Sequence, residues 1–281
     1  MRIKQTLITA ALCLLLVACS APANATQVFN EASGGNPLSI PVTSDIEFGS
    51  CGGPVISTIN PEFEQAVIEQ TNEIRMTHGL PPLKAQEDLG KSARYHTADM
   101  SATNYFSHDT MSRIDGDMVT VCDTWQRIEV YYPNWLALAE NIAAGQRTPE
   151  MALDGWMNSP DHRENILSDN YSEIGVGYYQ GEGDYRIYWG QNFGRRAGVY
   201  PLVIEGEKAV TNSTNVYVYI HGNFSAMRLR NDDGEWSGWV PFVNGFDWIL
   251  LPEPGMHTVS AQLRGPDGEY TTSDTIELVI P

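Results

Sequence analysis

Two runs of alternating apolar and polar residues constrain the fold most, because a short turn sequence joins them. The runs are EIGVGYYQ at residues 173–180 and YRIYWGQNFG at residues 185–194, with GEGD between them. Alternation with a period of two is typical of β-strands, and a Gly-rich connection of a few residues predicts an antiparallel hairpin. Helical patterns precede the hairpin, so the sequence predicts an α+β layered domain.

The predicted helices have clear start signals. A capping side chain followed by proline occurs three times, at Asn60-Pro61, Thr148-Pro149 and Ser159-Pro160. Another helix is expected over roughly residues 86–103. His96 lies on the apolar stripe of that helix, so we expect a buried, hydrogen-bonded ring rather than a ligand. His78 precedes Gly79, where the first helix is predicted to end.

The pattern changes after Gly198. From residue 199 to residue 281 there is no helical period, and short alternating runs are separated by turn sequences such as NDDGEWSG and GPDGEY. This is typical of a β-sandwich, and we expect an all-β, immunoglobulin-like sandwich here. Trp236, Trp239 and Trp248 are candidates for stacking on sugars, although packing is the commoner role of such aromatics.

The first 19 residues have the pattern of an export signal. Arg2 and Lys4 precede an apolar run that is too short for a transmembrane helix and ends in LVAC at Cys19. This end resembles a bacterial lipobox, which predicts cleavage before Cys19 and lipidation of its thiol. The alternative is a plain secretion signal. Residues 20–50 are poor in charge and are expected to form a tether.

Charge and cysteine content limit the partners and the compartment. With 35 acidic and 17 basic residues, the formal net charge is −18, so a nucleic-acid partner is not expected. Cys51 and Cys122 are the cysteines that remain outside the signal and the lipobox. In an exported domain, such a pair predicts one disulfide, and the alternative is two separate buried thiols.

Three separate segments carry residues that suit chemistry: NYFSHDT with His108, LALAENIAAG with Glu140 and WMNSPDHRENIL with His162. If Ser159 is the N-cap, His162 is the third helical residue, where the helix dipole disfavours a charged ring. A neutral imidazole can bind a metal or accept a proton, although Asp161 opposes this effect. A buried Glu140 would need a partner, so the three residues could converge as a metal or acid–base cluster.

Seven segments follow one another in the order found in the CAP superfamily of cysteine-rich secretory proteins, antigen 5 and pathogenesis-related proteins. They are NEIRMTHGLPPL, ARYHTADM, YFSHDT, AENIAAG, WMNSPDHRENIL, YSEIGVGYY and YWGQNFG. The chain resembles the bacterial SCP-like branch over roughly residues 60–196. The resemblance implies a three-layer α-β-α sandwich with a central cleft, which we assign to residues 51–198, before the β-sandwich of residues 199–281.

The resemblance also implies site residues. The cleft of the family holds two histidines and two acidic residues, and three of these positions fall on His108, Glu140 and His162. The position of the second acid in longer relatives is Ser159 here, and neither Asp154 nor Asp161 can be placed in the cleft from the sequence. His108 and His162, with Glu140, could hold a divalent cation such as zinc.

Three kinds of function fit these features. We expect an exported, lipid-anchored module at the cell surface or envelope that binds a lipid, a cell-wall component or a protein. The alternative is a metal-assisted hydrolase, acting on protein or cell wall, with His108, Glu140 and His162 as catalytic candidates. The chain has no Gly-x-Ser-x-Gly or HExxH motif, which favours binding over catalysis. The third is a structural protein with a relic cleft.

Overall fold

A computed structural model describes residues 48–280. The predicted signal, the lipidated Cys19 and nearly all of the tether lie outside these residues. The helices are α1 (Pro61–Thr77), α2 (Glu87–Thr103), α3 (Thr124–Tyr131), α4 (Pro149–Met157) and α5 (Pro160–Leu167). The strands are β1 (Lys84–Ala85), β2 (Thr110–Ile114), β3 (Asp117–Cys122), β4 (Trp135–Ala144), β5 (Glu173–Gln180), β6 (Ile187–Arg196), β7 (Leu202–Ile204), β8 (Val210–Thr211), β9 (Asn215–Ile220), β10 (Ala226–Asn231), β11 (Val240–Pro241), β12 (Gly245–Ile249), β13 (Gly255–Gly265) and β14 (Gly268–Leu278). Within residues 48–280, no helix is both long and apolar enough to cross a membrane.

The three helix starts predicted from capping residues and proline are confirmed. Asn60 Oδ1 accepts a hydrogen bond from the N–H of Phe63 at 3.1 Å. Thr148 Oγ1 accepts one from the N–H of Met151 at 3.3 Å. α5 begins after Ser159, but the Ser159 side chain makes no capping hydrogen bond. The expected α2 is also present.

Two elements were not predicted from the sequence. α3 begins at a capping box, in which Asp123 accepts from the N–H of Gln126 and the Gln126 side chain accepts from Asp123 N–H. β4 contains the segment that we described only as apolar and rich in small residues. Its residues from Ala139 to Ala143 are buried whichever face they point to, which removes the alternation that marks a half-exposed strand.

The first part of the chain has three layers. Its sheet has the order β1-β5-β6-β4, and β5 and β6 are the predicted hairpin. Helices α1, α4 and α5 cover one face, where Trp156 and Trp189 belong to the main apolar core. Helices α2 and α3 cover the other face, where Leu89 and Ile128 pack together. Helices on both faces of one sheet give the α-β-α arrangement that the resemblance implies.

The GVG sequence in β5 explains how α2 comes so close to the sheet. Val176 belongs to the core under α1, α4 and α5, so the glycines on either side of it face α2. A Cβ atom on Gly177 would lie 2.3 Å from the backbone nitrogen of Arg94. A Cβ on Gly175 would lie 2.1 Å from the backbone nitrogen of Gly90. Only glycine fits at these two strand positions, because the obstacle is helix backbone.

We predict that Gly177→Ala destabilises the protein by about 2–3 kcal/mol or more, because the added methyl group would push α2 away from β5. The measurement is the free energy of unfolding in urea. Gly155→Ala in α4 is the matched control, since its nearest new contact would be the Gln146 side chain at 3.8 Å. The control should be neutral or slightly stabilising. Equal effects of the two substitutions would contradict this account of the β5–α2 contact.

The chain after Gly198 forms two sheets, with strand orders β11-β10-β13-β14-β8 and β12-β9-β7. Ile204 and Val218 of the three-stranded sheet share one apolar core with Leu229 and Val259 of the five-stranded sheet. The two sheets therefore pack face to face. The all-β character predicted for this part of the chain is confirmed.

A buried charge cluster joins the β-rich part to the three-layer part, and no sequence signal indicated it. Lys84 Nζ at the start of β1 donates to Glu207 Oε1 at 3.0 Å and also contacts Asp274 Oδ1. The carboxylate side chains are each only 7% exposed. Burial, together with the charge of Asp274, raises the pKa of Glu207 to about 8 against the opposing effect of Lys84. Lys84 is thus the cation that holds two buried acids together.

We predict that Lys84→Met destabilises the protein by about 3–5 kcal/mol near pH 8, because two buried carboxylates would lose their cation. The loss should be smaller near pH 5, where the carboxylates can take up protons. Urea unfolding at the two pH values measures both terms. Lys208→Met is the control, because its side chain is 55% exposed and its ion pair with Glu205 is 3.6 Å long. A loss for Lys84→Met that does not depend on pH would contradict the prediction.

The predicted disulfide between Cys51 and Cys122 is present. It joins the segment before α1 to the end of β3, across a sequence separation of 71 residues, with Cα atoms 5.2 Å apart. Nearby, the Tyr131 hydroxyl accepts a hydrogen bond from the N–H of Gly53 at 2.9 Å. The alternative of two separate thiols is therefore wrong. The segment before α1 is fastened to the α3 side of the domain.

Candidate functional site

The site lies at β4, the edge strand of the four-stranded sheet, whose residues point alternately to the two helical layers. Asn141 points to α5, where its Nδ2 donates to the carbonyl of His162 at 3.2 Å and its Oδ1 accepts from Asn165 at 2.9 Å. Glu140 points to the opposite layer, towards α3 and the loop after α2. The edge strand therefore positions both layers around one place.

A buried ion pair fixes Glu140. Arg127 of α3 donates from Nη2 to Glu140 Oε2 at 2.5 Å, and both side chains are almost fully buried. The Arg127 Nη1 group donates to the carbonyl of His108 at 2.8 Å and to Thr110 Oγ1 at 3.1 Å. One guanidinium group thus ties α3, β4 and the loop that carries His108.

Glu140 in turn orients His108. His108 Nδ1 lies 2.9 Å from Glu140 Oε1, and the His108 side chain is 50% exposed. Burial alone would raise the pKa of Glu140, but Arg127 and the neighbouring histidines outweigh it and lower the pKa to about 2. An ionised carboxylate only accepts hydrogen bonds, so His108 Nδ1 carries the proton. When the ring is neutral, its Nε2 is left as the free acceptor on the exposed side.

His162 completes the site from the opposite layer. As predicted, it is the third residue of α5, and its ring centroid lies 6.5 Å from that of His108. Partial burial, with the nearby His108, lowers the pKa of His162, while Asp161 opposes the shift. The ring is therefore neutral at neutral pH. The site thus presents two imidazoles whose nitrogens can accept a proton, bind a metal or form hydrogen bonds.

The other two histidines of the three-layer part, His96 and His78, have the structural roles expected for them. His96 is buried, and its Nε2 lies 2.9 Å from the carbonyl of Ser107. Burial, reinforced by Arg127, lowers the pKa of His96 to about 3. His78 is exposed at the end of α1, where its Nδ1 lies 2.8 Å from the carbonyl of Ile74.

The donor set does not match a catalytic zinc site, which normally has three protein ligands. Within residues 48–280, no three His, Cys, Asp or Glu side chains are grouped so that they could hold a metal ion. Both oxygens of Glu140 are engaged, one with His108 and one with Arg127. Neither Asp154 nor Asp161 completes the set. The prediction of a divalent cation therefore rests on the two imidazoles, with Glu140 as a partner of one ligand.

Sequence reasoning missed Arg127, although it fixes the whole arrangement. The sequence did carry a signal, because Asp123 and Gln126 form the capping box that starts α3. Recognising that helix would have placed Arg127 beside Ile128 on its buried face. Its partner Glu140 is 13 residues away on another element, and nothing local pairs the two.

An α-β-α domain whose cleft presents two histidines above a buried glutamate defines a CAP-type domain. Residues 68–193 match the family model for CAP, the cysteine-rich secretory protein family, and through this domain the chain belongs to that family. The sequence-based recognition of the family is thereby confirmed.

Two Bacillus subtilis proteins are similar in sequence. The uncharacterized protein YkwD is 40% identical over 118 residues, which are 42% of this chain and 43% of that protein. The uncharacterized membrane protein YlbC is 33% identical over 138 residues, which are 49% of this chain and 36% of that protein. The chain thus spans less than half the length of either relative.

Three solved structures are similar over about half of the chain. An extracellular protein containing an SCP domain from Bacillus anthracis is 31% identical, with 50% of this chain and 45% of that chain covered and a TM-score of 0.41. An outer surface protein from Borrelia burgdorferi is 20% identical, with 50% and 98% covered and a TM-score of 0.43. A cysteine-rich secretory protein from Staphylococcus aureus is 22% identical, with 52% and 41% covered and a TM-score of 0.39.

We predict that Glu140→Gln destabilises the protein by about 3–5 kcal/mol at pH 7, because the buried Arg127 would lose its counter-charge. It should also change the response to acid. The pKa of Glu140 is about 2 when folded against an ordinary 4.5, so the unfolded chain takes up the proton first as the pH falls. The wild type therefore loses up to about 1.4 kcal/mol per pH unit from this group below about pH 4.5.

The free energy of unfolding in urea at pH 7, 5, 4 and 3 measures this dependence. Glu182→Gln is the matched control, because the Glu182 side chain is 92% exposed. The control should follow the wild type at every pH, whereas the Glu140→Gln curve should be flatter below pH 5. Parallel curves for all three proteins would show that Glu140 is not ionised against Arg127.

Proposed function

We propose that this chain is an exported, lipid-anchored protein of the cell surface or envelope whose CAP domain binds a ligand at His108 and His162. The observation that carries this proposal is the Arg127–Glu140–His108 chain of contacts. It uses two buried charges to hold one half-exposed imidazole, with the second imidazole 6.5 Å away between ring centroids. The ligand classes that we propose are a lipid, a cell-wall component or a protein.

The energetics of the ion pair support a role in binding. Removing two charges from water costs several kcal/mol, and a buried pair is often no more stabilising than apolar residues of the same volume. Here the pair also fixes the tautomer and the position of the exposed His108 ring. Pre-organised groups at a surface reduce the entropy that a ligand must overcome on binding. The geometry is thus suited to recognition.

Two features support export and attachment. The disulfide between Cys51 and Cys122 is typical of oxidising compartments outside the cytosol. The lipobox-like sequence at Cys19 supplies the proposed membrane anchor, and a multiply acylated cysteine would hold the protein stably at the membrane. YlbC, one of the relatives, is named as a membrane protein. The β-rich part, which we propose to be immunoglobulin-like, would pack against the CAP domain as a contact domain.

The hydrolase alternative is favoured by one observation only. Glu140 orients His108 as a carboxylate orients a general base. Catalysis would also need a nucleophile or a metal-activated water. In the chain from 48 to 280, the hydrogen bonds of the His108 and His162 rings include none with a hydroxyl or thiol side chain. We therefore propose binding, with no reaction step.

The test uses the full exported chain and the double variant His108→Ala/His162→Ala. Three probes are titrated: Zn²⁺ by equilibrium dialysis, purified peptidoglycan by sedimentation, and phosphatidylglycerol vesicles by flotation. We predict that at least one probe binds the wild type and that the double variant weakens this binding at least tenfold, because both imidazoles are lost. Zn²⁺ among the bound probes would support the predicted cation.

His78→Ala is the matched control, because it removes an exposed histidine at the end of α1. It should bind like the wild type, and thermal unfolding should show that all variants are folded. Equal binding by the wild type and the double variant would leave the relic-cleft interpretation in place of the proposal. Release of soluble fragments from peptidoglycan by the wild type alone would favour the hydrolase.

A further inference from the structure

Alternating arginine and tryptophan side chains form a row on the five-stranded sheet of the β-rich part. Arg230 Cζ lies 4.7 Å from the ring centroid of Trp236, and Arg228 Cζ lies 5.4 Å from it. Arg228 Cζ also lies 4.8 Å from the ring centroid of Trp239, and Arg264 Cζ lies 3.9 Å from it. The contacts thus run in the order 230, 236, 228, 239, 264. We name these five side chains the Arg–Trp ladder.

Strand alternation places the arginines on the outer face of the sheet. Met227 and Leu229 of β10 are buried in the core between the two sheets, so Arg228 and Arg230 point away from that core. Arg264 of β13 pairs with Ala226 and shares the outer face with them. Successive arginines on one strand face lie about 6.6–6.8 Å apart along the strand.

Hydrogen bonds to β10 fix the tryptophans. The N–H of Ser237 donates to the carbonyl of Leu229 at 2.8 Å, and the N–H of Leu229 donates to Ser237 Oγ at 3.0 Å. Ser237 lies within the sequence EWSGW, between the two tryptophans. The segment therefore runs along the edge of β10, and both indoles are held beside the arginines.

The ladder does not offer its indole faces to a sugar. Each ring has two guanidinium groups over it, and we infer one on each face because like charges would repel on a single face. Trp248 is also engaged, since its Nε1–H donates to Asn231 Oδ1 at 2.6 Å and its ring packs against the core. What remains accessible on the ladder is the N–H edges of the arginines.

The charges of the ladder are poorly compensated. Arg264 pairs with Glu269 at 2.8 Å, whereas residues 48–280 supply no ion-pair partner for Arg228 or Arg230. Arg228 is oriented by one neutral contact, from its Nε–H to Gln262 Oε1 at 2.7 Å. In a chain with 35 acidic and 17 basic residues, carboxylates are abundant, yet these two cations have none.

We propose that the Arg–Trp ladder binds a linear anionic polysaccharide through its row of guanidinium groups. Guanidinium groups bind carboxylate, phosphate and sulfate oxygens in charge-assisted hydrogen bonds, often two at a time. Stacking on indole limits the freedom of each arginine before binding, so less entropy is lost when the polymer binds.

The shape of the surface favours a single polymer chain over a membrane. The ladder is one cation wide, and the exposed acids Asp233 and Glu235 lie in the segment that leads to Trp236. A planar anionic membrane on the ladder would also approach these carboxylates. A linear polymer can follow the row and leave them in water. At about 0.1 M salt the Debye length is about 10 Å, so the distant negative charge of the protein is largely screened.

The experiment measures binding of the full chain to dextran sulfate, with neutral dextran as the matched polymer, in about 0.1 M NaCl. We expect the wild type to bind dextran sulfate and not dextran. Arg228→Gln/Arg230→Gln should weaken binding at least tenfold and make its salt dependence shallower. The control Arg113→Gln/Arg186→Gln removes the same charge from exposed positions and should change affinity by less than twofold.

Arg264→Gln provides a second variant at the exposed end of the ladder, and it should weaken binding at least threefold even if the double variant does not fold. Three results would overturn the proposal. They are no binding of dextran sulfate by the wild type, equal losses in the ladder and control variants, or tighter binding to phosphatidylglycerol vesicles than to dextran sulfate. None of these results bears on His108 or His162, so the proposed function of the CAP site is tested separately.

Discussion

The buried ion pair between Arg127 and Glu140 is the interaction on which the candidate site depends. Through one guanidinium group and one carboxylate it connects α3, β4 and the loop that carries His108. The cost of burying two charges is met by hydrogen bonds at nearly every polar atom of the pair. Because Arg127 keeps Glu140 ionised, Glu140 can only accept, and this decides which nitrogen of His108 is presented outwards.

The layers around this pair are set by a different constraint, the close approach of α2 to β5. Glycine at residues 175 and 177 removes the side chains that would separate helix and sheet, while Val176 between them fills the opposite core. α2 carries His96, and the chain leads from its end directly to His108. A small shift of α2 would therefore move the loop that the ion pair holds, which links packing at the glycines to the geometry of the site.

The β-rich part is joined to the CAP domain as firmly as a layer of the same domain. Lys84, Glu207 and Asp274 are buried together at the junction, and Asn72 of α1 donates to the carbonyl of Gly206 at 2.9 Å. A spacer joined only by a linker would not need such contacts. The two proposed binding surfaces, the histidine pair of the CAP domain and the Arg–Trp ladder, are therefore carried on directly packed parts of one chain.

The sequence by itself determined the elements with local signals. Capping residues and prolines located three helix starts, alternation located the hairpin, and ordered motifs identified the family and the residues His108, Glu140 and His162. Tertiary structure alone decided the partners: Arg127 for Glu140, and the two acids for Lys84. It also decided that Glu140 acts on His108 rather than as a free ligand. The physical reason is that caps and periodicity act over a few residues, whereas the pairing of buried charges depends on which distant segments exclude water together.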